Sequence, residues 1–294
     1  MTKAEAVSMA PAAARNQRSA RAVMTAGLLL PAALFLAAWF LWPLGQLLIL
    51  SLSAPEGAFA SYKAIAESQV FRTIFVNTLL LAVVVTVICT VLAYPAAWLL
   101  TRVRGFWFSV ALYCVLLPFW ISVLVRTFSW MLLLERNGPV NGLLMAIGAT
   151  DQPLRLLFNQ FSVYVGMVHV LLPYAIFPIY ASMLKVDRRL LLASDGLGAS
   201  SRTTFLRVFL PLTMPGVLAG AAFVFLLALG FYITPALLGG PQNLTAAMLI
   251  DSFVNERLVW PLAAAASFIL LFMVLAVLLV ASRFVAVGSV VVMK

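Results

Sequence analysis

The chain has 294 residues, 64% of them hydrophobic and 10% charged, with a mean hydropathy of +1.10. That much apolar surface exceeds what the core of a soluble domain of this length can hide, which excludes a soluble enzyme or binding module and implies an integral membrane protein. The formal charge of +10 is spread over separate short segments, so it describes which side of a membrane the loops face and excludes a nucleic-acid patch.

A helix needs about 20 apolar residues to cross a bilayer. Six segments free of Asp, Glu, Lys and Arg reach that length: 22–55, 73–101, 105–125, 156–184, 208–250 and 258–282. They predict an all-α membrane protein with six spans, divided into a tail at 1–21 and a membrane domain at 22–294. The tail has the Ala and Arg content of a signal peptide, but the apolar run behind it is far longer than a signal core, so it reads as an uncleaved first span. Cys89 and Cys114 fall inside the second and third spans, where free cysteine behaves as a small hydrophobe. The third span is read as unbroken, with Arg126 near its outer end. In the fifth segment, TPALLGGPQN (234–243) would stop a helix, so that segment is read as one span plus an outer loop.

Between the fourth and fifth spans the apolar pattern breaks at ASDGLGASSRTTFLRVFLPLTMPG (193–216). An ordinary helix connection takes about 2–8 residues, so the loop at 185–213 is expected to be a folded element. A short helix over 188–194, a turn at Gly196 and Gly198, and an amphipathic second helix over 200–210 with Phe205, Val208 and Phe209 on one face fit the pattern. Pro211 and the Pro215-Gly216 pair are expected to end that helix before the fifth span. It could lie on the lipid surface or dock into a soluble partner.

Charge orients the whole. The face carrying both termini holds Lys3, Arg15, Arg18, Arg21, Arg102, Arg104, Lys185, Arg188, Arg189, Arg202, Arg207, Arg283 and Lys294 against Glu5, Asp187 and Asp195 alone, so the entire net charge falls there. Both termini and the polar loop are therefore expected to be cytoplasmic.

No lysine follows a glycine, so the chain has no P-loop and cannot be an ATP-driven motor itself; it carries no cofactor, and ATP would act in a partner. It shows no cluster of His, Cys or carboxylates for a catalytic or metal site. A secondary carrier would more often have Asp, Glu or His in its spans; His169 alone qualifies, and it reads as a hydrogen-bonded packing residue. Candidate pathway residues are Arg126 and the aromatics Trp98, Trp120, Tyr174 and Tyr232. Arg126 has two readings, a carboxylate contact or an interfacial arginine snorkelling outward beside Trp130, and the aromatics serve equally as packing or belt residues. The stretch 239–243 reads as a turn, or as an outer gate if a partner meets it.

The polar loop also carries a resemblance. Gly198, with Val208, Leu210 and Pro211 after a nine-residue gap, resembles the Gly-x9-Ile-x-Leu-Pro part of the loop motif in permease subunits of bacterial ABC importers. Leu192, Ala193 and Ser194 stand where that family has Glu-Ala-Ala. The stretches LLPFWISVLVRTFSWMLLLERNGPVN, DQPLRLLFNQFSVYVGMVHVLLPYAIFPIY and ITPALLGGPQNLTAAMLI are similar to the spermidine/putrescine branch of these permeases. The resemblance implies a multi-pass subunit of the bacterial inner membrane, forming half of a pathway for a small nitrogenous solute; an opine or amino-acid-like solute is the alternative. It further implies a second permease subunit, two ATPase subunits and a periplasmic solute-binding protein as partners. The loop would be the element coupled to the ATPase, through Ala193, Ser194, Asp195, Gly198, Ala199, Ser200, Arg202, Phe205, Val208, Leu210 and Pro211.

Overall fold

The computed structural model describes Gly27 and residues 29–291, without the side chains of 280–291. The tail at 1–21, the first residues of the first expected span and Lys294 lie outside the described residues, as does the Arg283 side chain. Among the described residues there are helices and no strands, as an apolar medium demands when every backbone donor and acceptor must be bonded within its own segment.

Helix α1 (Leu29–Ser51) is apolar all round and exposes Trp39 and Trp42. At its end the Ser51 hydroxyl bonds to the Leu48 carbonyl and to the Tyr62 hydroxyl on the short α2 (Ala60–Glu67). Helix α3 (Gln69–Arg102) starts at a Ser68 cap and spans about 51 Å at 1.5 Å per residue. Its residues Leu81, Ala82, Val85, Cys89, Ala93, Ala97 and Leu100 recur every three or four positions and form its buried face.

That face meets α7 (Gln160–Leu184) and α10 (Leu210–Leu229), and the three helices make the core. Helix α7 opens on a reciprocal cap in which Asn159 and Ser162 each bond the other's backbone. Small residues dominate where the helices cross. A Cβ on Gly220 would stand 2.9 Å from the Ala175 carbonyl oxygen, and one on Gly216 2.6 Å from that of Pro178. In lipid, burying apolar area between helices gains little over contact with acyl chains, so close backbone approach across small residues supplies the cohesion. A second cluster joins α2, α3 and the last helix, α13 (Trp260–Val291), around the fully buried Phe253, whose ring meets Phe71 edge-on at 5.5 Å.

Among the described residues five helices are long and apolar enough to cross a membrane, and the bent pair formed by α4 (Gly105–Trp120) with the segment Val123–Ala146 makes a sixth crossing when taken as one span. Six spans therefore stand, but the third is not the unbroken helix expected. It ends at Trp120, passes through Ile121 and Ser122 in extended backbone, and resumes as α5 (Val123–Leu134) and α6 (Pro139–Ala146), bent by 102°. Pro118 lies inside α4, where it withdraws a backbone donor and weakens the last turns before the break.

The expected end of the loop helix at Pro211 and Pro215-Gly216 is also corrected. One helix runs from Ser201 to Leu229, comprising α9 (Ser201–Thr204), a wide turn at Phe205–Phe209 and α10. In that turn the Leu210 N–H reaches back five residues to the Phe205 carbonyl, which sets Pro211 at the start of a fresh helical register where its missing donor is not needed.

The outer-loop part of the fifth segment is itself structured. Helix α10 stops at Gly230, followed by α11 (Ile233–Leu238), a turn at 239–243 and α12 (Ala246–Asp251). Thr234 and Leu238 of α11 press on Gly166, so α11 reaches about 9 Å beyond the N-terminal end of α7 into the bundle. The Ser162 hydroxyl donates to the Leu238 carbonyl (2.8 Å), and the Ala246 N–H donates to Thr78 Oγ1 (2.8 Å).

Candidate functional site

One span is bent, and the short helix α11, which follows the end of α10, adjoins its second half. Helix α5 packs on α11, and the hydroxyls of Thr127 and Thr234 hydrogen-bond at 3.1 Å in a buried position. One helical position before Thr127 stands Arg126, only 9% exposed. This burial overturns the reading of Arg126 as an interfacial arginine snorkelling to water. Its Nε is buried without a hydrogen-bond partner, and among the described residues the single ion pair is Lys63 with Glu67.

His169 of α7 accepts a hydrogen bond from Trp130 Nε1 at 3.1 Å, as a packing histidine should, and its ring meets the indole edge-on. Tyr174, one turn further along α7, stacks obliquely on Phe119 with 4.9 Å between ring centres, and Phe119 also meets Phe177. Arg126 is within electrostatic reach of both Tyr174 and His169. The elbow of the third span thus gathers one buried cation, a neutral imidazole and a set of aromatic faces.

The other candidate aromatics divide. Tyr232 lies at the break after α10, and its hydroxyl donates to Asp251 Oδ2 at 3.0 Å, tying that break to the end of α12. Trp120 ends α4 at the elbow but is 80% exposed. Trp98 is not brought to this group: it sits near the C-terminal end of α3 with the Arg102 guanidinium 4.9 Å above its ring. Sequence reasoning missed Thr127, Thr234, Phe119 and Asp251. Only the tertiary packing exposes their role, and the prolines at 118 and 235 were the available signal.

The stretch 239–243 forms a turn closed by Asn243 Oδ1, which accepts from the Gly240 N–H at 3.1 Å. It borders a cavity of about 450 Å³ lined by Asn77, Arg155, Asn159, Gln160 and Gln242 among others. The cavity is polar and open, unlike the elbow.

At the opposite end of the bundle, the loop at 185–213 is a folded projection. Asp187 caps α8 (Arg188–Gly196) by accepting from the Arg189 N–H at 2.9 Å. The turn at Gly198 has φ +80°, a left-handed conformation that glycine adopts without penalty. Ser200 then caps α9. Ser194 and Asp195 bond to the buried Thr204 hydroxyl (2.9 and 3.3 Å), pinning α8 against α9.

The apolar residues presented outward differ from those expected. Phe205 turns an edge to Tyr94 (5.9 Å) and stacks on Phe209, while Val208 and Leu210 are half-buried. Leu192 (68% exposed) and Leu197 (89%) face solvent instead, beside the exposed Ala193 and with Ala199 half-buried; Arg202 and Pro211 are exposed on the next helix. Among the described residues no group of His, Cys, Asp and Glu is arranged to hold a metal.

No protein-family model matches the chain. It is 37% identical over 195 residues to the spermidine/putrescine transport system permease protein PotB of Escherichia coli, covering 66% of this chain and 70% of that one. It is 36% identical over 191 residues to the Haemophilus influenzae PotB, covering 65% and 67%. Among solved structures it superposes on a chain of a bacterial ABC transporter that imports the acidic polysaccharide alginate, with a TM-score of 0.74 at 18% identity over 92% of this chain and 97% of that one. A chain of the MetNI methionine ABC transporter gives 0.55 at 16% identity over 72% and 93%. These structural likenesses carry the fold, and the PotB relatives carry the family. A multi-pass chain whose described residues make five apolar crossings and a sixth that is bent, with a folded projection at the opposite end of the bundle and PotB as a relative over about two thirds of its length, belongs to the inner-membrane permease subunits of bacterial ABC importers.

Proposed function

We propose that this permease forms half of the pathway for a small cationic nitrogenous solute of the spermidine/putrescine kind. It would work beside a second permease subunit, two ATPase subunits that bind the ATP, and a periplasmic solute-binding protein. The similarity to PotB over 195 residues carries the reading. The alginate transporter was solved in complex with its solute-bound periplasmic protein, which supports a binding protein as partner here. The loop at 185–213 couples to the ATPase: ATP-driven closure of the ATPase pair shifts the equilibrium between pathway states through α8. In membranes holding the whole transporter, uptake of labelled putrescine is expected to depend on this chain and to be competed by spermidine. Competition by opines or amino acids with none by spermidine would remove the polyamine assignment.

Orientation follows from the charges. Reporters fused after Gly105 or Ser200 are expected to be cytoplasmic and those near Gly57, Gly148 or Gln242 periplasmic, because Lys and Arg are retained on the cytoplasmic side. A periplasmic Ser200 fusion would take the loop out of reach of any ATPase.

A further inference from the structure

Among the described residues Arg126 is the one charged residue that is buried. It lies beside His169, which is nine residues, about 14 Å, along the 25-residue α7. A charge held at that depth is expensive unless an anion meets it, yet the guanidinium has no hydrogen bond or ion pair among the described residues, and Nε is buried without a partner. The backbone adds to the demand. Helix α5 begins at the elbow, its cap residue Ser122 makes no side-chain bond, and the first backbone bond closing the helix is from the Arg126 N–H to the Ser122 carbonyl. The N–H groups of residues 123–125 thus point out of the helix start, and the Arg126 side chain leans back over that turn, as side chains on a helix do.

We propose that the elbow between α4 and α5 is a carboxylate site, in which Arg126 grips one carboxylate through Nε and a neighbouring Nη at the positive end of α5. The planar fork of arginine matches a carboxylate through two parallel bonds. Charge balance selects a monoanion: His169 accepts at Nδ1 from Trp130, which leaves it no charge to offer, and among the described residues Arg126 is the one buried cation. The rings of Phe119, Tyr174 and Phe177 cluster against one another, and Arg126 itself is 9% exposed, surroundings in which a charge-assisted bond is stronger than in water. The carboxylate belongs either to an acidic side chain of the second permease subunit, which fits a polyamine solute, or to an amino-acid-like solute taken in place of a polyamine. Both sources rest on the permease reading above.

The test uses the whole transporter reconstituted with its partner subunits, with wild-type uptake measured first so that failure of the permease reading shows before any variant is made. The probes are putrescine and 4-aminobutyrate, which differ at one end in carrying an ammonium or a carboxylate group. If the solute supplies the carboxylate, Arg126→Met weakens competition by 4-aminobutyrate at least tenfold more than it changes putrescine uptake. If the second permease supplies it, Arg126→Met lowers both alike and releases that subunit during co-purification, and Arg126→Lys, which keeps the charge but not the fork, restores only part. The proposal is overturned if Arg126→Met assembles and handles both solutes as wild type does. It is equally overturned if the Met chain is missing from the membrane while Arg126→Lys is normal in assembly and in both uptakes, since charge then serves folding and no fork is used.

Discussion

Gly216→Val is expected to leave almost no folded permease in the membrane. A Cβ at this position would run into the Ser182 side chain and stand 2.6 Å from the Pro178 carbonyl oxygen, and backbone cannot step aside as a flexible side chain can. Helices α7 and α10 would have to separate at the crossing that holds the core together. Overpacking a tight core costs about 1–3 kcal/mol. With rigid backbone as the obstacle the cost is expected at the upper end, roughly a hundredfold shift toward unfolded chain. Gly220→Val should behave alike, because its Cβ would meet the Ala175 backbone. Gly142→Ala is the control: nothing lies within 4 Å of its Cβ, and it sits inside α6 where alanine is the better helix former. Size-exclusion profiles of detergent-extracted fluorescent fusions measure the folded fraction. A wild-type profile for Gly216→Val would mean that α7 and α10 are not in contact as described.

Leu192→Asp and Leu197→Asp are expected to have the opposite phenotype, normal insertion with lost coupling. Both leucines project into solvent from a segment pinned at its base by the Ser194, Asp195 and Thr204 bonds, so nothing inside the bundle depends on them. If α8 docks in the ATPase, an aspartate buried in that contact without a partner should lower ATPase co-purification more than tenfold, the scale of an interface anchor worth about 2 kcal/mol. Phe205→Ala should do less. It loses an edge contact with Tyr94, worth about 0.5–1.5 kcal/mol, and weakens the foot of the bundle rather than the docking face. Gly198→Asp should fall between, since a non-glycine residue at φ +80° strains the turn by about 1–2 kcal/mol without meeting any atom. The measurement is ATP turnover with and without solute in reconstituted membranes. Normal solute-stimulated turnover in both leucine variants would reject α8 as the transmission element.

The position of Leu192 shows how far sequence reading reached. It stands where the loop motif of the family has a glutamate, which left the nature of the contact with a partner open. In the structure Leu192 and Leu197 are both exposed, so the solvent-facing side of this segment is apolar where the family's motif has an acid. The spacing of Phe205, Val208 and Phe209 predicts one helical face; in the structure these residues form the wide turn, where Phe205 and Phe209 meet each other and Phe205 turns an edge to Tyr94 while staying 37% exposed. A period of 3.6 identifies which residues share a side and says nothing about which side meets the partner.

What the sequence by itself determined was the class of molecule, the six crossings, their extents to within a few residues at most ends, and the place and folded nature of the loop. These follow from quantities that add along the chain: apolar length against bilayer thickness, and the concentration of Gly, Ser, Thr and Arg in one segment. Tertiary structure alone decided that the third span breaks at Ile121 and Ser122, that Pro211 lies within a continuous helix, and that Arg126 is buried beside His169 and Tyr174 rather than reaching water. Each depends on a non-local partner. A proline ends a helix or is absorbed by a wide turn according to what packs around it, and an arginine snorkels or stays buried according to whether other helices close over it. Thr127 with Thr234, 107 positions apart, is the smallest instance: neither residue signals anything alone, and their bond joins α5 to α11.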